Sequence, residues 1–454
     1  SMQTAIVRAI GLAGCVLLGP GPAWAFNLDR NDMRLLYGEE AADDQVKYRD
    51  LDVTNNNTLT GEVQIAGPTS DTASAQIEWI VEKISPRSGT HLLGVQYVTP
   101  SGTCGYANCV HLNFLTRPDS ADDTANATWT AVPGFPRTLT GNGLGGNRRF
   151  DIVVESARGR FVVVYQHLAS EQQLAHFVLR ADGSVVTGST TISGSAGPAN
   201  INWVQLVPHP TTDEVTLLYT IGTVLNSFRW NGGWSTSPLS LNGAAGITNA
   251  TQAFSGAYEQ QSGQLLAVYG INNCPLTNEP CTVYRTMPAG QLSSWSSQVK
   301  ISDVPARGVV MAARPGTDHI VAGVYGNQIT QRNISTGILA LGWNGTSFTE
   351  QQLTSTALNG SANSSGRIPM AAGWASGTAI LTYSDGDNSS SSIRWFSWNP
   401  PNNWSAPRHQ TGFSTYDKYG WLIEPYTDGA KLVLAFSDKN DRLSTAVFNG
   451  STWS

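Results

Sequence analysis

Short apolar runs recur along this chain, each ending in an aromatic residue and passing into a polar turn. They are RLLYGE at Tyr37, LGVQYV at Tyr97, FVVVYQ at Tyr165, TLLYTI at Tyr219, LLAVYG at Tyr269, VAGVYG at Tyr325, AILTYS at Tyr383 and LVLAFS at Phe436. Neighbouring aromatics stand 50 to 68 residues apart. Repetition at a fixed spacing marks a unit that buries its surface only by stacking on its neighbours.

Each run sits in a larger unit. Before it come a strand and a tight turn, as in FDIVVESARGRFVVVY and FSGAYEQQSGQLLAVY. After it come a second hairpin, an aromatic-rich strand such as LNSFRWNGGW or SIRWFSWNPPNNW, and a short Thr/Ser/Val strand such as VTGSTTIS. Alternating or fully apolar runs bounded by Gly, Asn, Asp and Pro are strands and hairpins, here labelled A to D in chain order. The aromatic-ended B strands are apolar on both faces, so each sheet must lie between two others. No stretch shows the 3.6-residue period of a helix. The pattern therefore predicts an all-β fold, a β-propeller of four-stranded antiparallel blades. The count is eight blades, or seven if one unit is irregular.

Asn-Gly pairs at 231–232, 344–345 and 449–450 provide tight-turn chemistry between C and D strands. Trp234, Trp404 and Trp453 follow at one phase, with Trp129 and Trp295 in the same place in the second and fifth units. Packing between blades is their expected role. The first unit begins at its B strand unless Phe26–Arg30 adds a short A strand, and the eighth stops where a D strand would begin.

Composition narrows the picture. The 454 residues are 40 % apolar and 13 % charged, enough for a large core and too little charge for a disordered chain. A formal net charge of −6 argues against a nucleic-acid partner. Residues 1–25 read as a secretory leader: Arg8, an apolar run Ala9–Leu18, and Ala23-Trp24-Ala25 as the cleavage site. Ser1 ahead of Met2 reads as a cloning remnant. The single domain is expected over 26–454, secreted or at the cell surface. Leu12-Ala13-Gly14-Cys15 also matches a lipobox, which would acylate Cys15 and anchor the chain. The apolar run is too short to span a bilayer, and no other segment qualifies.

The other cysteines form two close pairs, Cys104 with Cys109 and Cys274 with Cys281. An even count in an exported chain points to two local disulfides. Zinc is disfavoured, because the spacings are wrong and no nearby His completes a set. Both pairs brace B–C loops, which are also long at Glu39–Gln45, Thr99–Cys109 and Asp385–Ser392. Long loops on one face of a rigid scaffold are where a site is expected. The acidic stretches Glu39–Asp44 and Asp385–Asp387 lack calcium-loop spacing. No catalytic triad order, HExxH, phosphate loop or dinucleotide turn occurs, so no metal or cofactor is expected.

The stretch Leu381–Ser405, with Ile-Arg-Trp-Phe-Ser-Trp-Asn and Asn-Trp-Ser, resembles blades of secreted bacterial and fungal propellers, including the fucose-binding lectins. In that family an Arg opening the B strand holds the sugar. Here the position is Arg34 in the first unit but Leu265 in the fifth and Ala379 in the seventh, so the resemblance does not carry fucose specificity. Sialidase propellers share only Arg367-Ile368-Pro369, placed in the wrong blade. Propeller-type lyases use a Tyr or His as base, and His167 lies two residues beyond Tyr165.

The expected function is non-enzymatic binding or adhesion, with a glycan or a surface protein as partner and Asp385, Asp387, Arg394 and Trp395 as the ligand site. A polysaccharide-degrading enzyme using His167 and Tyr165 is the alternative. A structural subunit of a surface layer or filament is the third.

Overall fold

A computed structural model describes residues 7–10, 32–38, 46–52, 58–59, 63–65, 76–100, 108–118, 128–142, 147–167, 172–249, 251–274, 277–291, 293–329, 334–350, 354–355, 370–384, 392–413, 422–425, 429–437 and 443–454. These fall into eight antiparallel sheets in chain order. The third sheet is representative: Phe150–Val154, Phe161–Gln166, Leu174–Leu179 and Val185–Thr191 pair in sequence. The only helical element among the described residues is a single 3-10 turn at Gly243–Ala245. No described helix is long and apolar enough to cross a membrane.

The A strands line the middle. Val7–Ile10, Gln76–Ile84, Phe150–Val154, Ile201–Pro208, Phe254–Tyr258, Ala306–Ala313, Met370–Ala375 and Leu422–Pro425 each contact the next, and the last contacts the first. That closed ring is a β-propeller. The D strands lie outermost, and Val185 and Val186 are 41 % and 40 % exposed.

The B strands show why the units must stack. Phe161, Val163 and Tyr165 pack toward the second sheet with Leu112, Phe114 and Phe150. Val162 and Val164, between them in sequence, pack toward the fourth sheet with Val204, Leu217 and Tyr219. The fifth sheet repeats this, with Leu265, Ala267 and Tyr269 on one side and Leu266 and Val268 on the other. Burying each such side chain contributes about 1.5–3 kcal/mol. The B-strand tyrosines at 97, 165, 219, 269, 325 and 383 are all buried. Tyr165, Tyr269 and Tyr383 sit opposite the first residue of their A strands, Phe150, Phe254 and Met370, so the units are equivalent in register.

The Asn-Gly turns behave as expected. Asn344 Oδ1 accepts from the amides of Thr346 and Ser347, and Asn449 Oδ1 from those of Ser451 and Thr452. Gly345 and Gly450 take positive φ of 96° and 100°, where a Cβ would be strained. Aromatics then meet across each turn. Trp230 meets Trp234 at 5.3 Å, Trp343 meets Phe348 at 5.0 Å, Trp398 meets Trp404 at 5.7 Å, and Phe448 meets Trp453 at 5.2 Å.

The seam differs from expectation. The strand beside Asp32–Gly38 is Val7–Ile10, inside the segment read as a leader. Phe26–Arg30 lies outside the described residues. The eighth sheet has three strands, Leu422–Pro425, Leu432–Ser437 and Leu443–Phe448, and closes with Trp453 bridged to Phe448.

Carboxylates latch neighbouring A–B turns together. Asp213, in the fourth sheet's turn, accepts from the amides of Ala157 at 3.0 Å and Arg158 at 2.8 Å in the third sheet's turn. Asp318 does the same for Gln261 and Ser262, both at 2.9 Å. Glu155 and Glu259, each ending an A strand, accept from the indole N–H of Trp230 at 2.8 Å and Trp343 at 2.6 Å, each on the next sheet. Asp213→Ala strips an ionised acceptor from two amides, and a cost of about 1–3 kcal/mol is expected. Asp318→Ala should show a loss of the same order in urea unfolding, because it too caps two amides, while Asp213→Ala also removes the contact with Arg158.

Candidate functional site

Inside the ring lies a cavity of about 770 Å³, walled by the A strands of the fourth to eighth sheets. One wall is apolar, with Val309, Met311, Met370 and Ala372. The opposite wall carries Gln205, Gln252 and Ser255. Arg148 stands at the end where A strands begin, and Arg314 with Gln260 at the end where they turn back.

Beyond the bulge at Ile201/Trp203, the strand brings Gln205 to the cavity wall. Gln205 lies between Val204 and Leu206, which pack into the blade interface, and its Nε2 donates to Ser255 Oγ at 3.2 Å on the next A strand. The Oε1 atoms of Gln205 and Gln252 are buried and accept no hydrogen bond among the described residues. The Arg148 guanidinium lies 5.6 Å over the Trp203 ring and pairs with Asp151. Asp151 Oδ2 also accepts from the Leu206 amide at 2.8 Å, which fixes this corner. Trp203 is met edge-on by Trp79 at 5.1 Å. At the other mouth Arg314 lies 5.7 Å over Trp374, whose Nε1 donates to the Ala312 carbonyl at 2.9 Å.

The cavity thus offers indole and thioether surface beside amides and two guanidiniums, a mixture chemically suited to a ligand with both apolar faces and polar groups. Its polar side chains are amides, two serine hydroxyls and guanidiniums, which orient a ligand by hydrogen bonding. Among the described residues no cluster of three or more His, Cys, Asp or Glu is placed to hold a metal ion.

The residues expected from sequence fall elsewhere. Trp395 is 2 % exposed and packs toward Phe448 of the eighth sheet, so its ring is not a surface platform. Arg394, beside it, is half-buried and sits opposite Tyr383 and His409. Asp385 and Asp387 lie outside the described residues. Tyr165 is fully buried among Phe135 and Phe177, with its hydroxyl on Ser189. Burial pushes its phenol up, so it stays protonated at neutral pH. His167 is half-buried just beyond, its amide donating to the Gln173 carbonyl at 2.7 Å. Cys274 and Cys281 are joined, with Cα atoms 5.6 Å apart. Cys109 is also disulfide-bonded, and its expected partner Cys104 lies outside the described residues. The cavity went unread because no motif marks it.

Three imidazoles, His176 and His209 buried and His319 half-buried, bear on stability. His176 lies edge-on to Trp230 at 5.6 Å, His209 to Tyr258 at 5.0 Å and His319 to Trp398 at 5.8 Å. Burial pushes all three below the ordinary histidine range, with Arg229 and Arg314 adding to this at His209 and His319. The folded state therefore favours the neutral ring. Its contribution is complete above the ordinary value of about 6.5 and is lost as pH falls through that value toward the depressed one. Glu259, pushed up mainly by burial, works the other way. The expected result is a fall in Tm on acidification from about pH 7.5 to 5, flattened in His176→Asn.

No protein-family model and no curated protein matches the chain. Among solved structures, the BP39L lectin from Burkholderia pseudomallei is 12 % identical with a TM-score of 0.49, covering 83 % of this chain and 96 % of that one. A variant of the Aleuria aurantia lectin, in complex with alpha-methyl-L-fucoside, is 14 % identical with a TM-score of 0.36, covering 68 % and 96 %. An ulvan lyase bound to -[GlcA(1-4)Rha3S]- is 9 % identical with a TM-score of 0.45, covering 86 % and 91 %. The fold is a β-propeller with a distant resemblance to fucose-lectin propellers. These likenesses are of overall form, and a functional reading rests on the cavity itself.

Proposed function

We propose that this protein is an exported glycan-binding propeller whose central cavity holds a sugar. The observation that carries the reading is the cavity wall itself, where Gln205, Gln252 and Ser255 stand beside Trp203 and Arg148. Amide and hydroxyl side chains on such a wall pair with sugar hydroxyls. The apolar C–H face of the same ring suits the methionine and alanine wall opposite.

Glycan-array binding tests this directly. Gln205→Leu and Gln252→Leu keep the side-chain bulk and remove the amides, and each should weaken the captured glycan about ten-fold. An array with no binder, or variants that bind as wild type does, would sink the reading. Release of reducing or unsaturated ends from a bound polymer would instead establish the degrading-enzyme alternative, and ordered polymers under the electron microscope the structural one. Export is part of the proposal: the mature protein should begin at Phe26 by N-terminal sequencing. Cleavage there removes Val7–Ile10, leaving Asp32–Gly38 without that neighbour.

A further inference from the structure

A second cavity, of about 540 Å³, opens on the rim that carries the A–B and C–D turns. It is lined by Ser88 of the second sheet and by Arg158, Arg160, Arg180, Asp182 and Val186 of the third. Three guanidiniums and one carboxylate share this small space in a chain of formal net charge −6.

The guanidiniums are held but not exhausted. Arg160 gives Nε and Nη2 to Glu155, leaving Nη1. Arg158 contacts Asp213 through Nε at 3.2 Å, and its side chain is 58 % exposed, so both terminal nitrogens stand outside that pair. Among the described residues Arg180 uses only Nη1, toward Ser184 Oγ at 3.2 Å and the Val185 carbonyl at 3.3 Å. The carboxylate is committed locally: Asp182 Oδ1 accepts from Ser184 N at 2.9 Å and Oγ at 2.7 Å.

The walls are fixed before any ligand arrives. Ser88 Oγ donates to the Ala181 carbonyl at 2.5 Å, and Arg87 to that of Ala157, tying the second sheet's turn to both turns of the third. Asp213 caps the turn that presents Arg158. Guanidiniums with unused N–H groups, held in place, match the several acceptors of a tetrahedral oxyanion. Val186, exposed in the same lining, gives the ligand body an apolar edge to rest on.

We propose that this rim cavity is a second, anion-selective site that takes a sulfate or phosphate monoester carried on a sugar. It is separate from the amide-lined central cavity and does not depend on it.

Calorimetric titration of the full chain with glucose, glucose 6-sulfate and glucose 6-phosphate tests it, at low salt and at about 0.15 M salt. One or both esters should bind more tightly than glucose, and more weakly at the higher salt; the tighter ester identifies the source. The double variant Arg158→Gln/Arg180→Gln should weaken ester binding at least about ten-fold without touching any central-cavity ligand. Asp182→Asn removes the opposing charge and should strengthen it. Esters binding no better than glucose overturn the proposal. So do wild-type ester affinity in the double variant with unaltered thermal unfolding, and weaker binding in Asp182→Asn. If the double variant does not fold, Asp182→Asn decides.

Discussion

Arg229→Ala should lower the unfolding free energy by about 3–5 kcal/mol, among the largest losses any single substitution in this chain produces. Arg229 is the penultimate residue of the C strand of the fourth sheet, Val224–Trp230, and is 3 % exposed. It pairs with Glu214 at the start of the B strand, lies 5.9 Å over the Tyr258 ring of the fifth sheet, and reaches Met287. Tyr258 donates to Glu214 Oε1 at 2.9 Å and shares a 2.7 Å hydrogen bond with Thr216. Truncating the arginine leaves a carboxylate in the space between two sheets, where its lost hydration is not returned. The penalty is that of an orphaned charge, so deleting both charges should hurt less. Arg229→Met with Glu214→Leu keeps volume and should recover most of the loss, since Tyr258 retains Thr216. Urea unfolding with an unchanged m-value separates the cases. A single variant within about 1 kcal/mol of wild type would show the pair to be solvated.

The repeat was legible because its signal is local. Two-sided apolar B strands such as Phe161–Gln166 can be read directly, since odd and even side chains go to different blade interfaces. The Asn-Gly turns are equally local. The latches had a signal that passed unread: Thr-Asp recurs at 212–213 and 317–318, at the same offset in two A–B turns. The central cavity was hidden for a physical reason. Bulges at Ile77/Trp79, Ile201/Trp203 and Ala306/Gly308 shift the register of three A strands, so simple alternation misplaces the inward phase. Trp395 is not a surface residue, and in sequence an aromatic beside an arginine looks alike on a surface and between blades. Only the neighbouring sheet, with Phe448, decides.

Trp398→Ala is the second large effect, expected to cost about 3–5 kcal/mol. Its ring is 2 % exposed, stacks on Trp404 at 5.7 Å, meets Trp374 at 5.8 Å, and receives the edge of His319. Its Nε1 donates to the Asn402 carbonyl at 2.9 Å, tying the strand to its own C–D turn. On the sixth sheet the ring lies against Gly342, where a Cβ would stand 2.8 Å from three ring carbons. Gly342 is therefore glycine for want of space, and Gly342→Ala should destabilise by about 1–3 kcal/mol through overpacking. The two positions are coupled. Once the indole is gone, the extra methyl has room and fills part of the void. The double variant Gly342→Ala/Trp398→Ala should thus be less destabilised than the two single losses added together, by about 1 kcal/mol or more. Strict additivity in thermal and urea unfolding would mean that the ring relaxes away from Gly342 freely, and that this blade interface is not close-packed.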